Sequence, residues 1–245
     1  MIHPTPLYIV ASPRQRVGKT LIARLLIDFL LTSERPLEGY DLHPHEPALA
    51  KRFPGFVAPI DIGDVSGQMQ LFDRLLAHDS ITKVVDLGCR PFAQFFAVMW
   101  EIDFVTEARR RLIEPIVLFV ADPEPATVRT YGALRSQFET TTFLPVHNQA
   151  VSITFTKEDF PPTRTEHGII RIPSLSPLVR RVIDRPSFSF GTYMNEQLTG
   201  PTQVHQWIYP IVTKFRELEL QLLMGRLTAL LGGSDPAGRR PWADQ

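Results

Sequence analysis

The sequence predicts an α/β fold in three layers, with a mostly parallel central sheet and helices on both faces. Three observations carry this prediction. Several short runs are apolar throughout, as strands buried on both faces must be; runs of helical period lie between them; and strand and helix alternate up to residue 148. That alternation is the pattern of repeated strand–helix–strand crossovers.

Taken in order, LYIVA (7–11) is the first buried strand. The polar loop SPRQRV follows, and then GKTLIARLLIDFLL reads as a helix, with Leu21, Leu25 and Phe29, and Ile22, Leu26 and Leu30, repeating at i+4. LEGYDL (37–42) is a weaker strand that ends before the turn-rich HPHEP. GQMQLFDRLLAH is a helix expected to bury Met69, Leu71, Phe72, Leu75 and Leu76. KVVDLG (83–88) is a short buried strand, followed by one helical stretch from Phe92 to Leu112. PIVLFVADP (115–123) is the strongest strand signal, PATVRTYGALRSQF has a helical pattern, and TTFLPVHN (141–148) is strand-like. Beyond Asn148 the pattern loosens. TKEDFPPTRTEHG reads as a surface loop, GIIRIP as a last strand and SPLVRRVIDR as a short helix. A longer helix covers 211–231, with Ile211, Phe215, Leu218, Leu222 and Leu230 near one face and Gly232 and Gly233 ending it. The tail SDPAGRRPWADQ reads as disordered.

Composition narrows the function classes. With 26 Lys plus Arg against 26 Asp plus Glu, the net charge is zero, so no general positive charge argues for nucleic-acid binding. Local basic patches stay open: Arg109, Arg110 and Arg111, with Arg180, Arg181 and Arg185, read either as a DNA-binding surface or as solvated helix faces. The single cysteine, Cys89, excludes an intrachain disulfide and a Cys-rich zinc site. No apolar run is long enough to span a bilayer, and MIHPTPLYIVAS has no charged region leading into a long apolar segment, so a cytoplasmic protein is expected. His43 and His45 lie in a polar loop, and no spacing brings three or four metal ligands together, so they read as surface histidines.

The clearest chemical signal is Gly18-Lys19-Thr20, set between a buried strand and the first turn of a helix. Free N–H groups at a helix N-terminus attract an anion, and the helix dipole adds to this. Lys19 supplies a mobile positive charge for terminal phosphates, and the Thr20 hydroxyl can ligate Mg²⁺. The full Walker A pattern, G-x-x-x-x-G-K-[ST], fails here because Pro13 stands at its first glycine.

The run R-Q-R-V-G-K-T, Arg14 to Thr20, resembles the deviant Walker A, K-G-G-x-G-K-[ST], of the ParA/MinD group of P-loop ATPases. Further segments fall in the order of that family. G-Y-D-L-H-P-H (39–45) resembles its D-x-D-P-Q, with Asp41 at the first aspartate, His43 at the second and His45 at the glutamine. K-V-V-D-L-G resembles Walker B, with Asp86 closing the strand. F-V-A-D-P-E-P-A-T-V-R-T resembles the family's strand and helix after switch II, and L-P-V-H-N its V-V-N-R.

The resemblance, over roughly residues 5–185, implies a P-loop NTPase fold in one nucleotide-binding domain, 1–231, whose helices from 186 to 231 carry no transferable motif; 232–245 is the tail. It implies ATP or ADP with Mg²⁺, cradled by Arg14, Gln15, Arg16, Val17, Gly18, Lys19, Thr20 and Leu21. Thr20, and Asp86 through water, would hold the metal. Lys19, Asp41, His43 and Asp86 would be the catalytic set, with His43 orienting the attacking water in place of the family's aspartate. Arg14 would reach across an ATP-bound homodimer, Asn148 would read adenine, and the loop from Pro173 would pack on the base. Gln15 and Arg16 stand where the family has glycines, so the loop is expected to keep ordinary backbone angles. The implied function is a nucleotide-controlled dimerisation switch that positions DNA or another cargo, with non-specific DNA binding and a partner protein that activates hydrolysis. Two alternatives stand beside it: a non-hydrolysing DNA- or protein-binding scaffold, and a metabolic ligase of the dethiobiotin-synthetase type.

Overall fold

The computed structural model describes residues 4–43, 45–152, 155, 157–163, 168–195 and 202–232. Seven described strands form one sheet: β1 (Thr5–Ala11), β2 (Leu37–Asp41), β3 (Val57–Pro59), β4 (Thr82–Asp86), β5 (Ile113–Ala121), β6 (Thr142–Asn148) and β7 (Ile170–Ile172). Their order is β3-β2-β4-β1-β5-β6-β7, and every pairing is parallel. The α/β class read from the alternation is therefore the fold observed.

The helices are α1 (Lys19–Thr32), α2 (Ala48–Arg52), α3 (Val65–Leu75), α4 (Phe92–Glu101), α5 (Phe104–Arg110), α6 (Pro125–Gln137), α7 (Pro177–Ile183), α8 (Phe190–Asn195) and α9 (Gln203–Gly232). The two-residue period of the strands divides the core in two. Tyr8 and Val10 of β1 face one side with Leu26 of α1, Val179 of α7 and Ile208 of α9. Leu7, Ile9 and Ala11 face the other with Leu71 of α3, Phe95 of α4, Phe104 of α5 and Tyr131 of α6.

Local departures from the sequence reading have local causes. The single stretch Phe92–Leu112 is two helices, because Asp103 turns left-handed (φ 47°) between them, a conformation Asp tolerates better than most residues. Met69, expected to be buried, is exposed, since the apolar stripe of α3 narrows to Leu71, Phe72 and Leu75. The final helix starts at Gln203 rather than after Pro210. Burial of Val204, Trp207 and Ile208 offsets the ~3 kcal/mol that an interior proline costs. β3, α2 and α8 lie in segments to which the sequence reading assigns no element; β3 is an edge strand, which is where its Pro59 is tolerated. The side chain of Leu230, the tail after 232 and, of the loop 156–168, residues 156 and 164–167 fall outside the described residues.

A polar contact set ties α1 to the C-terminal segment. Arg24 donates to the carbonyls of Ile183 and Phe188 at 2.7 Å each and lies 4.5 Å over the Phe190 ring. Asp28 accepts from the Ser189 hydroxyl at 2.8 Å and the Phe190 N–H at 3.2 Å. Residues 183–190 are thus held against the helix that follows β1. No described helix is long and apolar enough to cross a membrane.

Candidate functional site

β1 and β4 are neighbours, yet the helices that follow them, α1 and α4, pack on opposite faces of the sheet. The chain therefore parts at their C-terminal ends, the place where open parallel sheets bind ligands. A cleft of about 760 Å³ opens there. The β1–α1 loop forms one wall through Gln15, Arg16 and Gly18, and the β4–α4 loop forms the other through Gly88, Cys89 and Arg90.

α1 begins without a side-chain cap. Gly18 is its N-cap at φ 96°, and a Cβ there would come within 2.5 Å of the Asn148 Nδ2. The first-turn N–H groups accordingly have no side chain covering them. Arg16 also takes a left-handed angle, φ 58°. The expectation of ordinary angles for the residues replacing the glycines is corrected at this position: the loop keeps the shape a glycine would suit, with a strain of roughly 1–2 kcal/mol.

Lys19 is only 5% exposed. Its ammonium donates to the Arg14 carbonyl, folding back over its own loop. Burial lowers its pKa, while Cys89 and Asp86 nearby act in the opposite direction. The cleft is strongly cationic, with Arg16, Lys19, Arg90 and Arg180 on its lining against Glu46 as the acidic residue there. Such a surface concentrates polyanions.

Behind Thr20 and His43 lie two carboxylates. The strand register sets Asp41 beside Asp86, and both are 0% exposed. Asp41 is fully engaged: one oxygen accepts from the His43 N–H at 3.1 Å and meets its Nδ1 at 2.8 Å, and the other accepts from Leu49 and Ala50 N–H at 2.8 and 3.2 Å. It therefore holds the first turn of α2 and orients His43, whose pKa it raises. Asp86 has neither oxygen hydrogen-bonded within normal distance. Burial pushes its pKa up to about 6; the His43 imidazole, the Thr20 hydroxyl and Lys19 pull it back, and Asp41 adds to the rise.

The structure thus brings Gln15, Arg16, Gly18, Lys19, Thr20 and His43 to one cleft, with Asp41 and Asp86 beneath it. Other expected residues are placed differently. Arg14 is paired with Asp122 (3.5 Å) and Glu124 of its own chain. Val17 is buried in the core, and Leu21 packs against it. The Asn148 amide is buried, donating to the Val17 carbonyl at 3.0 Å and accepting from the Ala150 N–H at 3.1 Å; it braces the loop and does not line the cleft. Pro173 is also off the cleft lining, its carbonyl accepting from the Trp207 indole at 2.8 Å. His43, read as a surface residue, is only 31% exposed at its side chain.

The arginines grouped as one basic surface separate. Arg109 pairs with Glu114 at the start of β5 and Arg111 with Glu107, whereas Arg180 lines the cleft at the opposite end of the strands. Arg90 and Arg180 are cleft residues that the sequence reading did not assign to the phosphate site. Arg90 could have been found from its place just after the Asp86 strand; no local signal marks Arg180. Compared with models of known protein families and with curated proteins, the chain has no match.

Proposed function

We propose that this chain binds ATP with Mg²⁺ in the β1/β4 cleft and, as the resemblance to ParA/MinD ATPases implies, uses the nucleotide to control pairing of two copies in positioning DNA or another cargo. The observation that carries the reading is the buried Lys19 at the uncapped start of α1, facing a cationic cleft at the switch point of the sheet. The first-turn N–H groups would receive the phosphates, and the Lys19 ammonium would exchange the Arg14 carbonyl for a phosphate oxygen. Arg16, Arg90 and Arg180 would balance the remaining charge.

The residues present fit Mg²⁺. Asp86 offers a buried carboxylate with no partner at normal hydrogen-bond distance, beside the Thr20 hydroxyl. Bound there, the ion would neutralise developing charge on the phosphates. His43, fixed by Asp41, would orient the attacking water.

The test is calorimetric titration with ATP and ADP in the presence of Mg²⁺, together with light scattering of the apo, ADP and ATP forms. Lys19→Ala is expected to lose at least ~100-fold in ATP affinity, since it removes a charge-assisted contact. ATP is expected to double the mass, and Arg14→Ala to prevent this. A mass unchanged in all three states removes the switch. A second reading, a non-hydrolysing scaffold, is favoured by the pairing of Arg14 within its own chain. Phosphate release no faster than in Lys19→Ala, with and without DNA, selects it.

A further inference from the structure

We propose that Asp41, His43 and Asp86 form a divalent-metal site that takes Zn²⁺ or Co²⁺ in preference to Mg²⁺ and fills without nucleotide. The β2–β4 register sets the two aspartates side by side. His43 Nδ1 lies between them, 2.8 Å from Asp41 Oδ1 and 3.6 Å from Asp86 Oδ2. One donor atom from each of the three residues lies within 4.8 Å of the others.

Two features separate this group from a chance cluster. Asp41 is preorganised, because the Leu49 and Ala50 N–H groups anchor its second oxygen. Asp86 is wholly buried, and neither oxygen has a partner at normal hydrogen-bond distance, the Thr20 hydroxyl and His43 Nδ1 (3.6 Å) being the donors beside it. A buried carboxylate so weakly matched calls for a cation. With no close hydrogen bond to hold it, it can turn toward the other two donors, closing the set to the ~2.0–2.2 Å bonds of a bound ion. The ion would take the place of the proton that His43 Nδ1 shares with Asp41.

Selectivity follows from the donor set. Mg²⁺ favours oxygen ligands in a regular octahedron and gives up water reluctantly, whereas imidazole nitrogen with carboxylate oxygen suits Zn²⁺ and Co²⁺. The three protein donors need no phosphate, so the site can fill and be tested without nucleotide; it shares Asp86 and His43 with the nucleotide reading, so an ion held here competes with the Mg²⁺ placed there.

The experiment is titration of the full chain with Co²⁺ in the absence of nucleotide, followed by visible absorption, with calorimetry for Zn²⁺ and Mg²⁺. One Co²⁺ per chain is expected, displaced by Zn²⁺, with Mg²⁺ about 100-fold weaker or more. His43→Ala and Asp86→Asn are each expected to weaken Co²⁺ by at least ~10-fold, with the far-ultraviolet dichroism unchanged. Lys19→Ala should retain Co²⁺ even where it abolishes ATP binding, which separates failure of this site from failure of the nucleotide reading. Absence of stoichiometric Co²⁺ and Zn²⁺ binding, equal affinity for Mg²⁺, or Co²⁺ binding unaffected by both His43→Ala and Asp86→Asn would overturn the proposal.

Discussion

Strand β4 carries a buried charge at each end, and the two are treated in opposite ways. At its start, Lys83 is 1% exposed and satisfied: its ammonium reaches Asp79 at 2.7 Å and the carbonyls of Ala77 and Ile81 at 3.1 and 3.4 Å. At its end, Asp86 is 0% exposed and has no partner at normal hydrogen-bond distance. Arg109 and Arg111 are paired at the starting edge of the sheet, while Lys19 at the finishing edge has only its own loop carbonyl. Thr141 Oγ1, just before β6, is a buried orphan too, so it is an unmatched buried charge, and not an unsatisfied group as such, that sets the Asp86 end apart. At one end the buried charge is matched within the fold; at the other it is not.

The largest expected effect tests the satisfied end. Lys83→Ala strands two carbonyls and the Asp79 carboxylate and should cost about 3 kcal/mol in a urea melt. If it costs nothing, the contrast collapses. Asp86→Asn should move stability the other way, by about 2–3 kcal/mol at pH 8 in metal-free buffer. The sign comes from linkage. The Asp86 pKa is raised from 3.8 to about 6, so over that range the folded chain keeps a proton that the unfolded chain has lost. Stability then falls as pH rises through the window, and Asp86→Asn should flatten that part of the profile. His43 works in the same direction: its raised pKa gives a contribution present below its ordinary value of 6.5 and lost as pH climbs through the folded value.

Two smaller effects sharpen the comparison within the loop. Gly18→Ala combines a φ of 96° with a 2.5 Å approach to Asn148 and should destabilise by about 2 kcal/mol while weakening nucleotide binding. Arg16→Gly should do the reverse for stability, gaining about 1 kcal/mol by relieving the left-handed angle at φ 58°. Because it also removes a cleft cation, it should weaken anion binding. A thermal melt alongside ATP titration separates the two consequences.

The sequence by itself determined the layered α/β architecture and the place of Lys19 and Thr20. Those properties are written at short range: apolar runs mark buried strands, a repeat at i+4 marks α1, and a Gly-Lys-Thr marks the strand–helix junction at which Lys19 opens α1. What each polar group does with its hydrogen bonds was decided by the tertiary structure. Asn148 braces Val17 from 131 residues away, and Arg24 reaches Ile183 across 159. Asp41 and Asp86 meet only because β2 and β4 pair, and Arg180 reaches the cleft only because α7 returns to it. Local pattern reports how often a residue faces the core; it carries no information on which distant donor or acceptor the packing of the layers will set opposite it.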